Sequence, residues 1–202
     1  MLSVMKIRSA RFAGGARSLR ECPAWPYPEI ALIGRSNVGK SSLVNFLLNQ
    51  RGLAKVSATP GKTRELNFFL VDDAWVLADL PGYGYAKASR AEKSLFNELV
   101  GDYLERRDNL RHVLVLIDSR LPPQRIDLDF SAWLATTGAA FSFVFTKADK
   151  QSPAKTGASI ALFQEAVHPM LGGIPECLAC SAAKRGGRDA LLAHVGRALE
   201  SA

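Results

Sequence analysis

Gly34-Arg35-Ser36-Asn37-Val38-Gly39-Lys40-Ser41 fits the phosphate-loop pattern G-x-x-x-x-G-K-[ST] at every fixed position. Residues 29–33 before it read as a buried strand, and residues 40–49 after it as a helix. A glycine-rich turn between strand and helix aims successive backbone N–H groups at one spot, at the positive end of the helix dipole. Gly34 permits the turn, and Gly39 lets the backbone approach phosphate oxygens where a Cβ would intrude. Lys40 supplies a point charge for the β- and γ-phosphates, and the Ser41 hydroxyl stands where it can ligate Mg²⁺.

Outward from the loop, apolar runs alternate with amphipathic segments. Residues 66–71 and 75–80 read as strands joined by the Asp72-Asp73 turn, hence antiparallel. The continuous apolar runs 112–117 and 140–145 predict strands buried on both faces, with a shorter strand at 176–180. Residues 90–106 carry Leu95, Leu99 and Tyr103 on one helical face, and 128–136, 154–171 and 188–199 also read as helices. The expected fold is α/β: a three-layer P-loop sandwich with a mixed, mainly parallel sheet of about six strands and helices on both faces. Ligands in such a fold sit at the carboxyl ends of the strands.

Bulk composition narrows the function classes. The chain has 202 residues, 48% hydrophobic and 22% charged, and no apolar run near the ~20 residues a membrane span needs. A net charge of +7 suggests a polyanionic partner. Cys22, Cys177 and Cys180 are too few and too odd in number for a disulfide framework, which suggests a reducing compartment. Cys177-Leu-Ala-Cys180 is a lone C-x-x-C; with His112, His168 and His194 as the only histidines it lacks a tetrahedral zinc set and reads as structural. Residues 1–20 carry Lys6, Arg8, Arg11, Arg17 and Arg20 without an acidic residue or the apolar core of a signal peptide.

Further motifs fall at strand ends. The Asp149 carboxylate of Thr146-Lys147-Ala148-Asp149 can accept two hydrogen bonds from guanine N1–H and N2–H₂. Adenine has no such donor pair and would leave the carboxylate unpaired. The Lys147 stem can lie over a base. In Asp79-Leu80-Pro81-Gly82, the carboxylate can hold Mg²⁺ through a water and the Gly82 N–H can reach a γ-phosphate. Thr59-Pro-Gly-Lys-Thr63 offers a threonine hydroxyl to the metal, Thr63 being preferred over Thr59 by position. Cys180-Ser181-Ala182 follows the last strand, where backbone N–H groups can meet guanine O6.

These motifs have the order and spacing of a translation-factor-class small GTPase, and the fuller strings resemble the EngB/YihA/YsxC branch of bacterial GTPases. Those strings are Gly34 to Ser42, Thr59-Pro-Gly-Lys-Thr63 and Asp79-Leu-Pro-Gly-Tyr-Gly-Tyr85, and the resemblance spans about residues 20 to 200. It implies a single GTPase domain, placed at 25–202; the cations of the preceding stretch make residues 1–24 a basic arm packed on or beside it, and the expected protein is a cytoplasmic monomer without membrane attachment. It also implies a role in assembling the large (50S) ribosomal subunit, with the subunit or its rRNA as partner, and a requirement in division and septation. Carried over residue by residue, it gives nucleotide contacts to Gly34, Arg35, Ser36, Asn37, Val38, Gly39, Lys40, Ser41 and Ser42, and to Gly61, Lys62, Thr63, Arg64 and Glu65 of the first switch. The same carry-over covers Asp79, Leu80, Pro81 and Gly82, then Thr146, Lys147, Ala148 and Asp149, then Cys180, Ser181 and Ala182. Lys40, Thr63, Asp79 and Gly82 take the catalytic roles; Ser41 and Thr63 hold Mg²⁺ with GTP or GDP as ligand. The family's guanine loop reads more like Phe-Ser-Ser than Cys180-Ser-Ala182, a change that backbone contacts tolerate.

Tyr83 occupies the position where many GTPases carry the glutamine that orients water, so unassisted hydrolysis is expected to be slow. In related GTPases an asparagine at the place of Asn37 helps hold K⁺; the alternative is an asparagine bonded to its own loop. Three cation groups could meet RNA: Lys87, Arg90 and Lys93; Arg106, Arg107 and Arg111; and Lys184, Arg185 and Arg188. Two other classes remain at this stage: a P-loop kinase or ATPase, and an RNA-binding module that uses nucleotide only for stability.

Overall fold

Side-chain alternation along the central strands sends apolar residues to both faces, which demands a covering layer on each. In β5 (Leu110–Asp118), Val113, Val115 and Ile117 enter one core while Leu114 and Leu116 enter the other. The computed structural model describes residues 5–54, 65–84 and 90–201. The described elements are β1 (Ala10–Ala16), β2 (Glu29–Gly34), α1 (Lys40–Leu47), β3 (Leu66–Val71), β4 (Trp75–Asp79), α2 (Arg90–Arg106), β5, α3 (Arg125–Thr136), β6 (Phe141–Thr146), α4 (Pro153–Leu171), β7 (Cys177–Ala179) and α5 (Arg188–Glu200).

The strands form one sheet in the order β1-β3-β4-β2-β5-β6-β7. Pairing is parallel from β4 through β2, β5 and β6 to β7, and antiparallel where β3 meets β4 and β1. Side chains of α2, α3 and α4 fill the core on one face; α1 and α5 fill the other. The sheet thus has seven strands where the sequence suggested about six. The added strand is β1, from the stretch read as a basic arm; it runs antiparallel to β3, from Ala10 opposite Val71 to Ala16 opposite Leu66. Only its end residues Ala10 and Ala16 are buried, so Ala-Arg-Phe-Ala-Gly-Gly-Ala carries no period-2 signal. Arg11 and a register shift between Phe12 and Gly14 mark it as a protected edge.

Short-range chemistry sets the β3–β4 hairpin. Asp72 and Asp73 both have positive φ (50° and 48°), the requirement of a type I′ turn. The Asp72 carboxylate also accepts from the backbone N–H of Arg8 at 3.0 Å and of Ser9 at 2.6 Å, which aligns the chain entering β1.

The amino end of the sheet, away from the phosphate loop, is tied by Glu29 at the start of β2. Its carboxylate, fully buried, accepts from Tyr103 Oη at 2.6 Å, Trp25 Nε1 at 2.7 Å and Arg107 Nη2 at 2.5 Å. Arg107 also donates to Pro23 O at 2.8 Å, so the proline-rich entry and the end of α2 share one anchor. Because the carboxylate cannot reach water, Arg107→Met is expected to destabilise the fold by about 3–5 kcal/mol, measured as a fall in the urea unfolding midpoint.

Candidate functional site

β2 ends where a side chain has no room. A Cβ on Gly34 would stand 2.9 Å from both Leu116 Cβ and the Leu116 carbonyl oxygen. The chain then turns through Asn37 (φ 63°) and Gly39 (φ 105°) into the first turn of α1. The end of β6 clamps this turn from outside: Thr146 Oγ1 donates to Val38 O at 2.6 Å, and Lys147 Nζ donates to Asn37 O at 2.6 Å. The Ser36 hydroxyl is buried without a hydrogen-bond partner among the described residues. The Asn37 side chain is exposed and makes no hydrogen bond to any described residue.

β4 delivers the second part. Asp79 is buried, and Lys40 Nζ hydrogen-bonds its Oδ1. Burial pushes the Asp79 carboxyl above its ordinary pKa, against the pull of Lys40. Leu80 N–H donates to Leu32 O at 2.9 Å, which continues the parallel pairing past the strand end and fixes Pro81 and Gly82. A Cβ on Gly82 would lie 2.7 Å from Gly34 O, so this segment lies directly on the phosphate loop. Ser41 and Ser42 follow Lys40 in the first turn of α1. Hydroxyl and carboxylate oxygens are hard donors that suit Mg²⁺ when phosphate and water complete the shell. Among the described residues no cluster of three or more His, Cys, Asp or Glu could hold a metal alone. Ser41 and Asp79 offer oxygens of this kind and would suit such an ion in the company of a phosphate ligand.

The third part sits beyond β6. Lys147 takes a left-handed backbone (φ 60°) and leads into a turn at Ala148–Lys150. Ser181 Oγ donates to Asp149 Oδ1 at 2.6 Å, and that hydrogen bond holds the Asp149 carboxyl below its ordinary pKa. Ala148 N–H donates to Cys180 O at 3.2 Å, joining this turn to the 180–182 loop. Ser181 and Gly186 exchange backbone hydrogen bonds at 3.0 Å, which closes that loop. Ala182 packs against the α1–α5 core.

Two residues that sequence reading missed belong to this region. Asp118, at the end of β5, binds Lys147 Nζ at 2.8 Å and Arg120 Nη2 at 2.7 Å. Burial opposes its ionisation, but the hydrogen bonds from Arg120 and Lys147 outweigh it and pull the carboxyl down to about 2. An acidic residue closing an apolar strand was its only sequence signal. Asp127 on α3 is buried, accepts from Tyr83 Oη at 2.9 Å and lies 3.8 Å from Arg35 Nη1. Tyr83 stacks on Phe130 with ring centroids 4.1 Å apart, so its side chain is turned into the α3 interface.

Other expected site residues are placed differently. Thr59, Gly61, Lys62, Thr63, Arg64 and Lys87 lie outside the described residues. Glu65, at the end of that first-switch stretch, accepts from Arg17 Nε at 2.6 Å. The cation groups shrink: Arg107 is engaged with Glu29, Arg106 pairs with Asp102 at 3.2 Å, and Arg188 donates to Phe46 and Leu47 carbonyls at the end of α1. Arg111, Lys184 and Arg185 remain exposed. Cys177 packs against one core and Cys180 is buried in the other, so the C-x-x-C sulfurs face opposite sides of the sheet. Burial pushes the Cys180 thiol up to about 12.

Residues 29–147 match the family model described as "50S ribosome-binding GTPase". The chain is 41% identical over 191 residues to the probable GTP-binding protein EngB of Bacteroides fragilis, covering 95% of each chain. A crystal structure of a probable GTP-binding protein EngB shares the fold, with TM-score 0.66 and 20% identity over 86% of this chain and all of that one. A variant of S. thermophilus NFeoB bound to GMPPNP gives TM-score 0.60 at 27% identity, over 87% of this chain and 63% of that one. Among the described residues no helix is long and apolar enough to cross a membrane.

Asp118 yields a pH test. Its folded pKa lies below its unfolded value, so its contribution to stability is complete above about pH 4 and disappears as pH falls toward 2. Asp118→Asn is expected to lower the melting temperature at pH 7 and to converge with the unsubstituted protein by pH 2, read by thermal denaturation across that range.

Proposed function

The chain belongs to the EngB family of GTP-binding proteins, and we propose that it acts as a nucleotide-dependent switch in assembly of the large (50S) ribosomal subunit. It binds and hydrolyses GTP. The ribosomal assignment rests on the family model's own description, on the net charge of +7 and on the exposed cations Arg111, Lys184 and Arg185. A cytoplasmic location and a link to division and septation go with that role.

One observation carries the switch reading: the strand ends bring Lys40, Asp79 and Gly82 to one side of the phosphate loop and Lys147, Asp149 and Ser181 to the other. Two chemistries thereby converge on one bound molecule. On the phosphate side, the N–H groups of Gly34 to Ser42 cradle oxygens, Lys40 places its charge at the β- and γ-phosphates, and the Gly82 N–H reads the γ-phosphate. The Lys40–Asp79 ion pair holds the two side chains together, ready to exchange each other for ligand and metal shell. Ser41, Asp79 through water, and Thr63 of the first switch would hold Mg²⁺, which neutralises charge on the phosphates. On the base side, Asp149 accepts from guanine N1–H and N2–H₂, Lys147 lies over the ring, and backbone N–H groups of Cys180 to Ala182 meet O6. Ser181 fixes the Asp149 rotamer and Asp118 fixes Lys147.

Hydrolysis is slow without a partner, on the order of 10⁻⁴ s⁻¹ as in an unassisted small GTPase. Support comes from Tyr83: the residue after Gly82 is committed to Phe130 and Asp127 at the α3 interface. The exposed Asn37 amide, with no described hydrogen bond to its own loop, supports a K⁺ contact there.

Three measurements test this reading. Asp149→Asn is expected to weaken GTP by at least about a hundredfold and to gain xanthosine triphosphate, since the carboxylate's two hydrogen bonds are each worth roughly 1.5–3 kcal/mol; unchanged GTP affinity would remove Asp149 from the base site. Single-turnover hydrolysis should quicken when purified 50S particles are added; no binding and no acceleration in the GTP form would overturn the ribosomal role. Replacing Na⁺ by K⁺ at equal ionic strength should raise the rate, and Asn37→Ala should abolish that difference.

A further inference from the structure

Asp127 is a buried carboxylate that the GTPase motifs do not explain. Removing such a charge from water is expensive, and an apolar residue on α3 would serve packing alone at less expense. Its carboxylate instead faces two segments of the nucleotide site. Oδ1 accepts from Tyr83 Oη at 2.9 Å, and Oδ2 lies 3.8 Å from Nη1 of Arg35 in the phosphate loop. The helix end that carries it is itself fixed: Asp127 N–H donates to Gln124 O at 2.9 Å, and Ser131 Oγ donates to Asp127 O at 2.7 Å.

Tyr83 transmits this anchor to the backbone. Its N–H donates to Gly34 O at 3.3 Å, and Arg35 and Tyr83 form an isolated parallel bridge. Gly82 lies against Gly34 O so closely that a Cβ would stand 2.7 Å away. On the far side Gly84 (φ 83°) approaches α3 just as closely, its would-be Cβ 2.7 Å from Ile126 Cδ1. The Gly82–Gly84 segment is therefore held flat between the phosphate loop and α3, with the Tyr83 side chain as the pin.

We propose that Asp127 is a positioning residue for GTP turnover: by holding the Tyr83 hydroxyl and sharing Arg35, it sets the Gly82 N–H against the phosphate loop where the γ-phosphate arrives. This rests on the reading of Gly82 as the γ-phosphate contact. Tyr83, at the position of the missing glutamine, then serves as the pin that aims the neighbouring amide instead of aiming water. A purely structural pair would change stability but treat GTP and GDP alike; a positioning pair changes their ratio.

The full-length protein with Mg²⁺ and either GMPPNP or GDP provides the test. Tyr83→Phe keeps the ring on Phe130 and removes only the hydroxyl. It is expected to lose about tenfold in GMPPNP affinity, from loss of a hydrogen bond to a charged group, while GDP affinity moves less than about twofold. Hydrogen exchange over Leu80–Gly84 should show GMPPNP protection beyond that of GDP in the unsubstituted protein, and this difference should shrink in Tyr83→Phe.

A pH profile gives a second, independent readout. Burial lifts the Asp127 carboxyl to about 6, against the Tyr83 hydrogen bond and the Arg35 charge. The other groups facing it stay fixed there: Tyr83 is pushed up by burial, and Asp118 remains ionised down to about pH 2. The GMPPNP preference should therefore fade as pH drops through about 6, and Asp127→Asn, nearly isosteric, should lose this inflection. A Tyr83→Phe protein with the unsubstituted nucleotide ratio, or an Asp127→Asn protein with the unsubstituted pH profile, overturns the proposal. If GMPPNP gives no extra protection at Gly82 even in the unsubstituted protein, the γ-phosphate reading itself is what fails.

Discussion

Everything at the ligand end depends on one close approach, the contact between the two glycine-bearing strand ends of β2 and β4. Gly34 lies against Leu116 and Gly82 lies against Gly34 O, with no space for a Cβ at either position. Parallel pairing continued by Leu80 N–H on Leu32 O brings the two ends level. The loop then turns under that contact, Lys40 falls opposite Asp79, and α1 begins with its amide groups toward the same point. Van der Waals contact between backbones thus positions the charges; the charges do not have to hold the backbones.

The fixed charges are arranged as pairs of unlike strength. Lys40–Asp79 is buried, and desolvation weighs against the carboxylate there. Lys147–Asp118 is reinforced by Arg120 and favours ionisation strongly. Under the proposed function a ligand's phosphates meet the first pair. On the same reading the base meets the second, where Asp118 holds Lys147.

What the sequence made legible follows from how local each signal is. The phosphate loop, the buried strand 112–117 and the β3–β4 hairpin announce themselves through glycine spacing, continuous apolar runs and a paired-aspartate turn, and each depends on near neighbours. β1 did not, because an edge strand buried only at its ends looks like a basic arm until β3 is beside it. Arg107 looked like a surface cation because Glu29, its partner, lies far back in the chain. Asp127 was invisible for the same reason, its partners Tyr83 and Arg35 coming from other strand ends, and Asp118, though Arg120 is close by, meets Lys147 only in the fold. The residues of the first switch from Gly61 to Arg64 lie outside the described structure, so their place in the site rests on the motif alone.

The pairing of β1 bears on how the chain assembles as it is made. β1 precedes the other described strands in the chain, yet its partner runs from Leu66 to Val71, and β2, the next strand in sequence, needs β4 and then β5. The earliest pairing available from close neighbours is the β3–β4 hairpin, closed by Asp72 and Asp73. Once that hairpin exists it presents one free edge to β1 and the other to β2, and the same Asp72 receives the incoming chain at Arg8 and Ser9. β1 therefore closes the longer loop, onto an edge that a local turn builds.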